Sequence, residues 1–120
     1  SLYKFQSDAI LKAAKKGNCI FVGRTADYIL RDFKNTINIF VTADIDQRIK
    51  NVCERRKIKC AEARKYIIDK EEARASYYNY YTGKQWGHSE SYDLCINSSL
   101  LGIENTEAFI DELIKKRFQL

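Results

Sequence analysis

The segment GRTAD, Gly23 to Asp27, sets a glycine and an arginine directly behind the apolar run CIFV, residues 19–22. Gly23 lets the backbone turn and come close to a ligand, and Arg24 offers a planar fork of donors that suits phosphate oxygens. Asp27 lies near enough to hold that guanidinium or to take a polar group of the ligand. The plainer alternative is a surface Arg-Asp pair at a helix start. A second group lies in DKEEARASYYNYYTGKQWG, Asp69 to Gly87. On a helix Lys70 and Arg74 share a face, so two cations converge on one polyanion. Phosphoryl transfer asks for that arrangement, because the developing charge spreads over oxygens that need fixed positive partners. Solvated pairing with Asp69, Glu71 and Glu72 is the alternative. Tyr77, Tyr78, Tyr80, Tyr81 and Trp86 offer ring faces either for stacking a base or for burial. Asn97 and Ser98, with Ser99, follow the run LCIN; they either face the same crevice as Arg24 or cap the next helix.

Other chemistries find little support. His88 is the only histidine, with no acidic or cysteine cluster near it in sequence, so neither a metal centre nor a Ser-His-Asp arrangement is expected. Cys19, Cys53, Cys60 and Cys95 form no CxxC pair, and two of them sit in strand-like runs. Buried, reduced thiols are the expectation, not a disulfide frame. With 21 Lys and Arg against 16 Asp and Glu, the 120 residues carry a formal charge of +5, a lean toward anionic ligands without naming one. No apolar run nears the roughly 18 residues of a membrane span, and no signal-peptide pattern opens the chain. A cytoplasmic protein with no membrane partner is expected.

These residues need elements to position them. Residues 5–16 are rich in helix formers and stop at Gly17, where a left-handed closing residue is expected. CIFV (19–22), INIFV (37–41) and LCIN (94–97) read as strands covered on both faces. After INIFV, Ile45, Ile49, Val52 and Cys53 mark one helical face, with Asp44 placed to cap it. From about Cys60 to Tyr81 the pattern is one long helix, or two meeting near Asp69, ending at Thr82-Gly83. After LCIN, Phe109, Ile110, Leu113 and Ile114 repeat at helical spacing before a basic end. Strands alternating with helices make an α/β fold, a parallel sheet with flanking helices. With no proline, repeat or low-complexity linker, residues 1–120 read as a single domain. In such a sheet the crevice lies beyond the carboxyl ends of the strands, where Arg24 and Asn97 stand.

GNCIFVGRTADYIL, DKEEARASYYNYYTGKQWG and YDLCINSSLLGIENTEAFI resemble the cytidylate kinase-like proteins, relatives of bacterial cytidylate kinase among the P-loop nucleoside monophosphate kinases. The resemblance implies phosphoryl transfer from ATP, with Mg, to CMP or a similar nucleoside monophosphate in the full-length parent. It matches Gly23 and Arg24 to the pair that meets the acceptor phosphate, with Asp27 beside it. Lys70 and Arg74 fall on the basic lid segment, as catalytic candidates; Tyr77, Tyr81, Asn97 and Ser98 are possible base or loop contacts.

One departure stands out. No GxxxxGK[ST] occurs, and the five glycines are scattered. The chain therefore reads as an acceptor and lid portion, an incomplete fold without the N-terminal P-loop strand, inactive alone and with no cofactor of its own. In the family's sheet that strand lies between those matching CIFV and INIFV. Its absence implies either that these two close on each other or that another copy fills the space, by homo-oligomer formation or strand exchange. The alternative function is a non-catalytic module holding a nucleotide or single-stranded nucleic acid, the nucleic acid being the less expected partner.

Overall fold

A computed structural model describes residues 1–120. The order is α1 (Leu2–Lys16), α2 (Ala26–Ile29), β1 (Ile39–Thr42), α3 (Ile45–Arg56), α4 (Cys60–Thr82), a 3-10 turn (Ser89–Ser91), β2 (Leu94–Asn97), α5 (Ser98–Leu101) and α6 (Ile103–Phe118). β1 and β2 pair in parallel, Ile39 opposite Leu94 through Thr42 opposite Asn97. Asp93 clasps the entrance: its Oδ2 accepts from the Asn38 N–H at 2.6 Å, and its own N–H reaches the Asn38 carbonyl at 2.7 Å. Parallel pairing requires a long crossover, which α3 and α4 supply as an antiparallel hairpin. α4 is one unbroken helix and closes at Gly83 in the left-handed conformation. α1 closes instead at Gly17 with φ 152° and ψ −158°, a conformation open essentially to glycine alone rather than the left-handed turn expected there.

CIFV is not a strand. Residues 18–22 are irregular, no backbone hydrogen bond ties them to any strand, and Ile20 and Val22 are 91% and 89% exposed. A strand-prone run becomes a strand only against a neighbour that takes its hydrogen bonds, and β1, already paired to β2, does not reach it. Closure of the two runs on each other therefore does not occur. The sheet has two strands, and they are not covered on both faces, since Val41 and Cys95 are exposed. The thiols are free but not buried: Cys19, Cys60 and Cys95 are exposed and Cys53 is half-buried.

Apolar burial is split between two small clusters. Ile10 of α1 meets Ala26 and Leu30 around α2, and Val52 of α3 meets Ala63 and Ile67 of α4. The radius of gyration, 16.1 Å, exceeds the ~14 Å of a compact chain this long. Ala63, fully buried at the α3–α4 contact, leaves no space for a larger side chain. Ala63→Leu is expected to destabilise the hairpin by about 1–3 kcal/mol, read as a lower urea midpoint at unchanged slope.

Candidate functional site

Parallel pairing brings the carboxyl ends of β1 and β2 to one edge, and the residues after them interlock. The Asn97 amide donates to Asp44 Oδ1 at 2.8 Å while its oxygen accepts from the Ser99 N–H at 2.9 Å, capping α5. The Asp44 N–H donates to Ser99 Oγ at 2.9 Å, and Ser98 Oγ donates to the Thr42 carbonyl at 2.9 Å. Asp44 does stand at the start of α3, but its carboxylate is drawn to Asn97 and makes no capping bond with α3. Asn97 and Ser98 thus serve first as a brace across the strand ends.

Beside this brace lies a cavity of ≈ 460 Å³, walled by β1, α3, α4 and the Trp86-Gly87 turn. Phe40 supports the turn edge-on, 5.2 Å from the Trp86 ring and 4.9 Å from Tyr92. Gly87 is favoured there by its φ of +80°, and its Cα face packs toward the Phe40 ring. Two arginines face the cavity. Arg74 comes from α4, and Arg48 from the first turns of α3, where its guanidinium pairs with Glu71 while its Nε is buried without a partner. Arg48 escaped the sequence reading because it sits on an amphipathic helix, where charges look like the solvated face. Its spacing from the end of β1 was the available signal. Lys70 does not join Arg74 here. Helical side chains lean toward the N-terminus, and Lys70 Nζ lies 5.6 Å from the centre of the Tyr66 ring. A second depression of ≈ 350 Å³, at Lys84, Gln85, His88, Glu90 and Ser91, lacks any apolar lining and suits a ligand less well.

Gly23, Arg24 and Asp27 lie elsewhere, between α1 and α4. Gly23, Arg24 and Thr25 all have positive φ, 70°, 59° and 56°. Thr25 is buried and its hydroxyl meets Tyr3 Oη at 3.0 Å, so the turn is held from below while Arg24 is exposed. Asp27 does not hold Arg24; its Oδ2 accepts from the Tyr78 hydroxyl at 2.7 Å. The tyrosines stack on one another. Tyr81 lies flat on Tyr3, centroids 3.9 Å apart, and Tyr77 donates to Gln6 at 3.1 Å. They join α1 to α4, leaving Tyr80 as the most open ring. Burial raises Tyr77, with Tyr81 and Tyr3 adding to it and Arg24 opposing. Burial, then the bond to Asp27, pushes Tyr78 far above its ordinary value.

The cytidylate kinase-like family matches residues 1–100. The chain belongs to that family. Within it, the chain is 32% identical over 103 residues to a cytidylate kinase of Staphylothermus marinus and 25% identical over 95 residues to one of Ignicoccus hospitalis. These matches take in 86% and 79% of this chain and 58% and 55% of the relatives, so the chain spans little more than half their length. A crystal structure of an uncharacterized protein from Eubacterium ventriosum superposes with TM-score 0.93 at 30% identity, covering 97% of this chain and 66% of that one.

Tyr78 gives the fold a testable alkaline limit. With its native value raised, the native state keeps the phenolic proton after the unfolded chain has lost it. Its stabilising contribution is therefore complete below the ordinary value of 10.0 and declines as pH rises above it. Urea midpoints at about pH 9 and about pH 11 should fall more steeply for the wild type than for Tyr78→Phe. At neutral pH, Tyr78→Phe should cost about 1.5–3 kcal/mol through the lost bond to Asp27.

Proposed function

We propose that the protein containing this chain is a P-loop nucleoside monophosphate kinase that transfers a phosphoryl group from ATP to CMP or a similar nucleotide, in the cytoplasm. The observation that carries this is Arg48 and Arg74 together at the carboxyl end of β1, in a chain of the cytidylate kinase-like family. Two guanidiniums beside an open cavity stabilise charge on phosphate oxygens as it develops. Glu71 keeps Arg48 oriented, and the unpartnered Nε leaves that side chain a donor to spare. In this reading Arg24, on its strained turn, is the acceptor-phosphate contact. Tyr77 and Tyr81 shape that region through α1, and the brace from Asn97 and Ser98 fixes the cavity's floor.

The donor side lies outside this chain. In this proposal the segment that makes the relatives longer carries the P-loop and its strand. That strand runs between residues 19–22 and the free edge of β1, giving CIFV the neighbour it lacks. Pairing with a second copy would fill the same edge. In this proposal a Mg ion travels with ATP.

The test is a phosphoryl-transfer assay on the full-length protein with ATP and a panel of CMP, dCMP and UMP. Transfer to a pyrimidine monophosphate supports the proposal, and nucleotide binding without transfer points to a binding module. Arg24→Ala should raise the KM for the monophosphate by about 10- to 100-fold, the range of one charged contact, and leave that for ATP nearly unchanged. Arg74→Ala should act mainly on kcat. Equal effects on both substrates would remove Arg24 from the acceptor site.

A further inference from the structure

The turn between α3 and α4 is three residues long, Lys57 to Lys59, and it folds two thiols against each other. Cys53 belongs to the last turn of α3, and Cys60 is the first residue of α4. Their sulfurs stand 3.5 Å apart across seven positions of sequence. This juxtaposition is held in place. Lys57 takes a left-handed φ of 54°, the Ile58 N–H returns to the Cys53 carbonyl at 3.2 Å, and the Cys53 thiol donates to the Ile58 carbonyl at 2.7 Å. Beneath it, Ile58 and Cys53 pack on the Val52–Ala63–Ile67 cluster. The two thiols are unequal: Cys60 is exposed and Cys53 half-buried.

We propose that Cys53 and Cys60 form a reversible dithiol–disulfide site at the tip of the α3–α4 hairpin, oxidised by low-molecular-weight disulfides. Exposed Cys60, as thiolate, attacks one sulfur of the small disulfide. That S–S bond breaks, one small thiol departs with its electron pair and takes up a proton, and Cys60 carries the other half as a mixed disulfide. Cys53 then gives up its proton and attacks the Cys60 sulfur, releasing the second small thiol. Two protein thiols are oxidised, one small disulfide is reduced to two thiols, and the two protein protons end on them. The hydrogen bond to Cys60, then burial, raise Cys53 above its ordinary value, which favours Cys60 as the first nucleophile. Cys60 is exposed, so the bond stays open to thiol–disulfide exchange and is reversible. It ties together the ends of two helices that carry Arg48 and Arg74, yet it does not rest on the proposed kinase reaction.

Trypsin makes the test direct, because Arg55, Arg56, Lys57 and Lys59 all lie between the two cysteines. The reduced full-length protein is incubated with oxidised glutathione, remaining thiols are blocked with iodoacetamide, and the digest is analysed by mass spectrometry without reductant. The expected product is peptide 51–55 joined to peptide 60–64, released by dithiothreitol. Cys53→Ser should leave peptide 60–64 carrying one glutathionyl group that persists. Separate glutathionyl groups on both wild-type peptides would overturn the proposal. So would a link from either one to Cys19 or Cys95, or alkylation of both under conditions that oxidise those two.

Discussion

Parallel pairing of β1 with β2 is the constraint on which the rest depends. Two parallel strands point their carboxyl ends the same way, so whatever follows each emerges at one edge. Here that edge receives the start of α3 and the start of α5, and Asp44, Asn97, Ser98 and Ser99 lock them together. The crossover must travel back along the sheet, and the α3–α4 hairpin that makes the return carries Arg48 and Arg74 to the same edge. The cavity follows from the direction of two four-residue strands.

The same small sheet explains why the interior is divided. Two strands present too little surface for the helices to share one core, so α1 and α2 bury their own cluster and α3 and α4 another. α6 keeps Phe109 half exposed for the same reason. Contact between the two halves passes through aromatic and polar links. Tyr3, Tyr77 and Tyr81 tie α1 to α4, and Tyr78 reaches Asp27 of α2. Rings with a polar tip do this well, since they bury area and still satisfy a hydroxyl in a thin interface.

What could be read in the sequence was what local pattern decides. β2 spans the residues of LCIN, α6 covers the predicted basic-ended helix, and Gly83 ends α4 where Thr82-Gly83 marked it. CIFV has the same local signature as LCIN, yet its backbone lacks a neighbour, and no local pattern reports that. Arg48 and the Cys53–Cys60 pair were hidden for different reasons. Arg48 looks like one more charge on a solvated helical face, whereas the thiol pair depends on how tightly the α3–α4 turn closes, which brings together residues that look independent along the chain. Lys70 and Arg74 show the converse: a shared helical face did not bring both to one cavity, because Lys70 settles over Tyr66.

The turn at Gly23 to Thr25 carries the strongest local conflict between chain and structure. Glycine takes positive φ without penalty, but Arg24 and Thr25 do not, and residues so placed cost on the order of 1–3 kcal/mol each. Such a conformation persists only where its surroundings hold it. Thr25 is buried against Tyr3, α2 begins at once with Ala26 in the apolar cluster, and Tyr78 fixes Asp27. None of these attachments engages Arg24. The strain therefore serves no packing of Arg24 itself. Its structural result is an exposed Arg24 on a turn that Thr25 and Asp27 anchor on either side of α2's first residue.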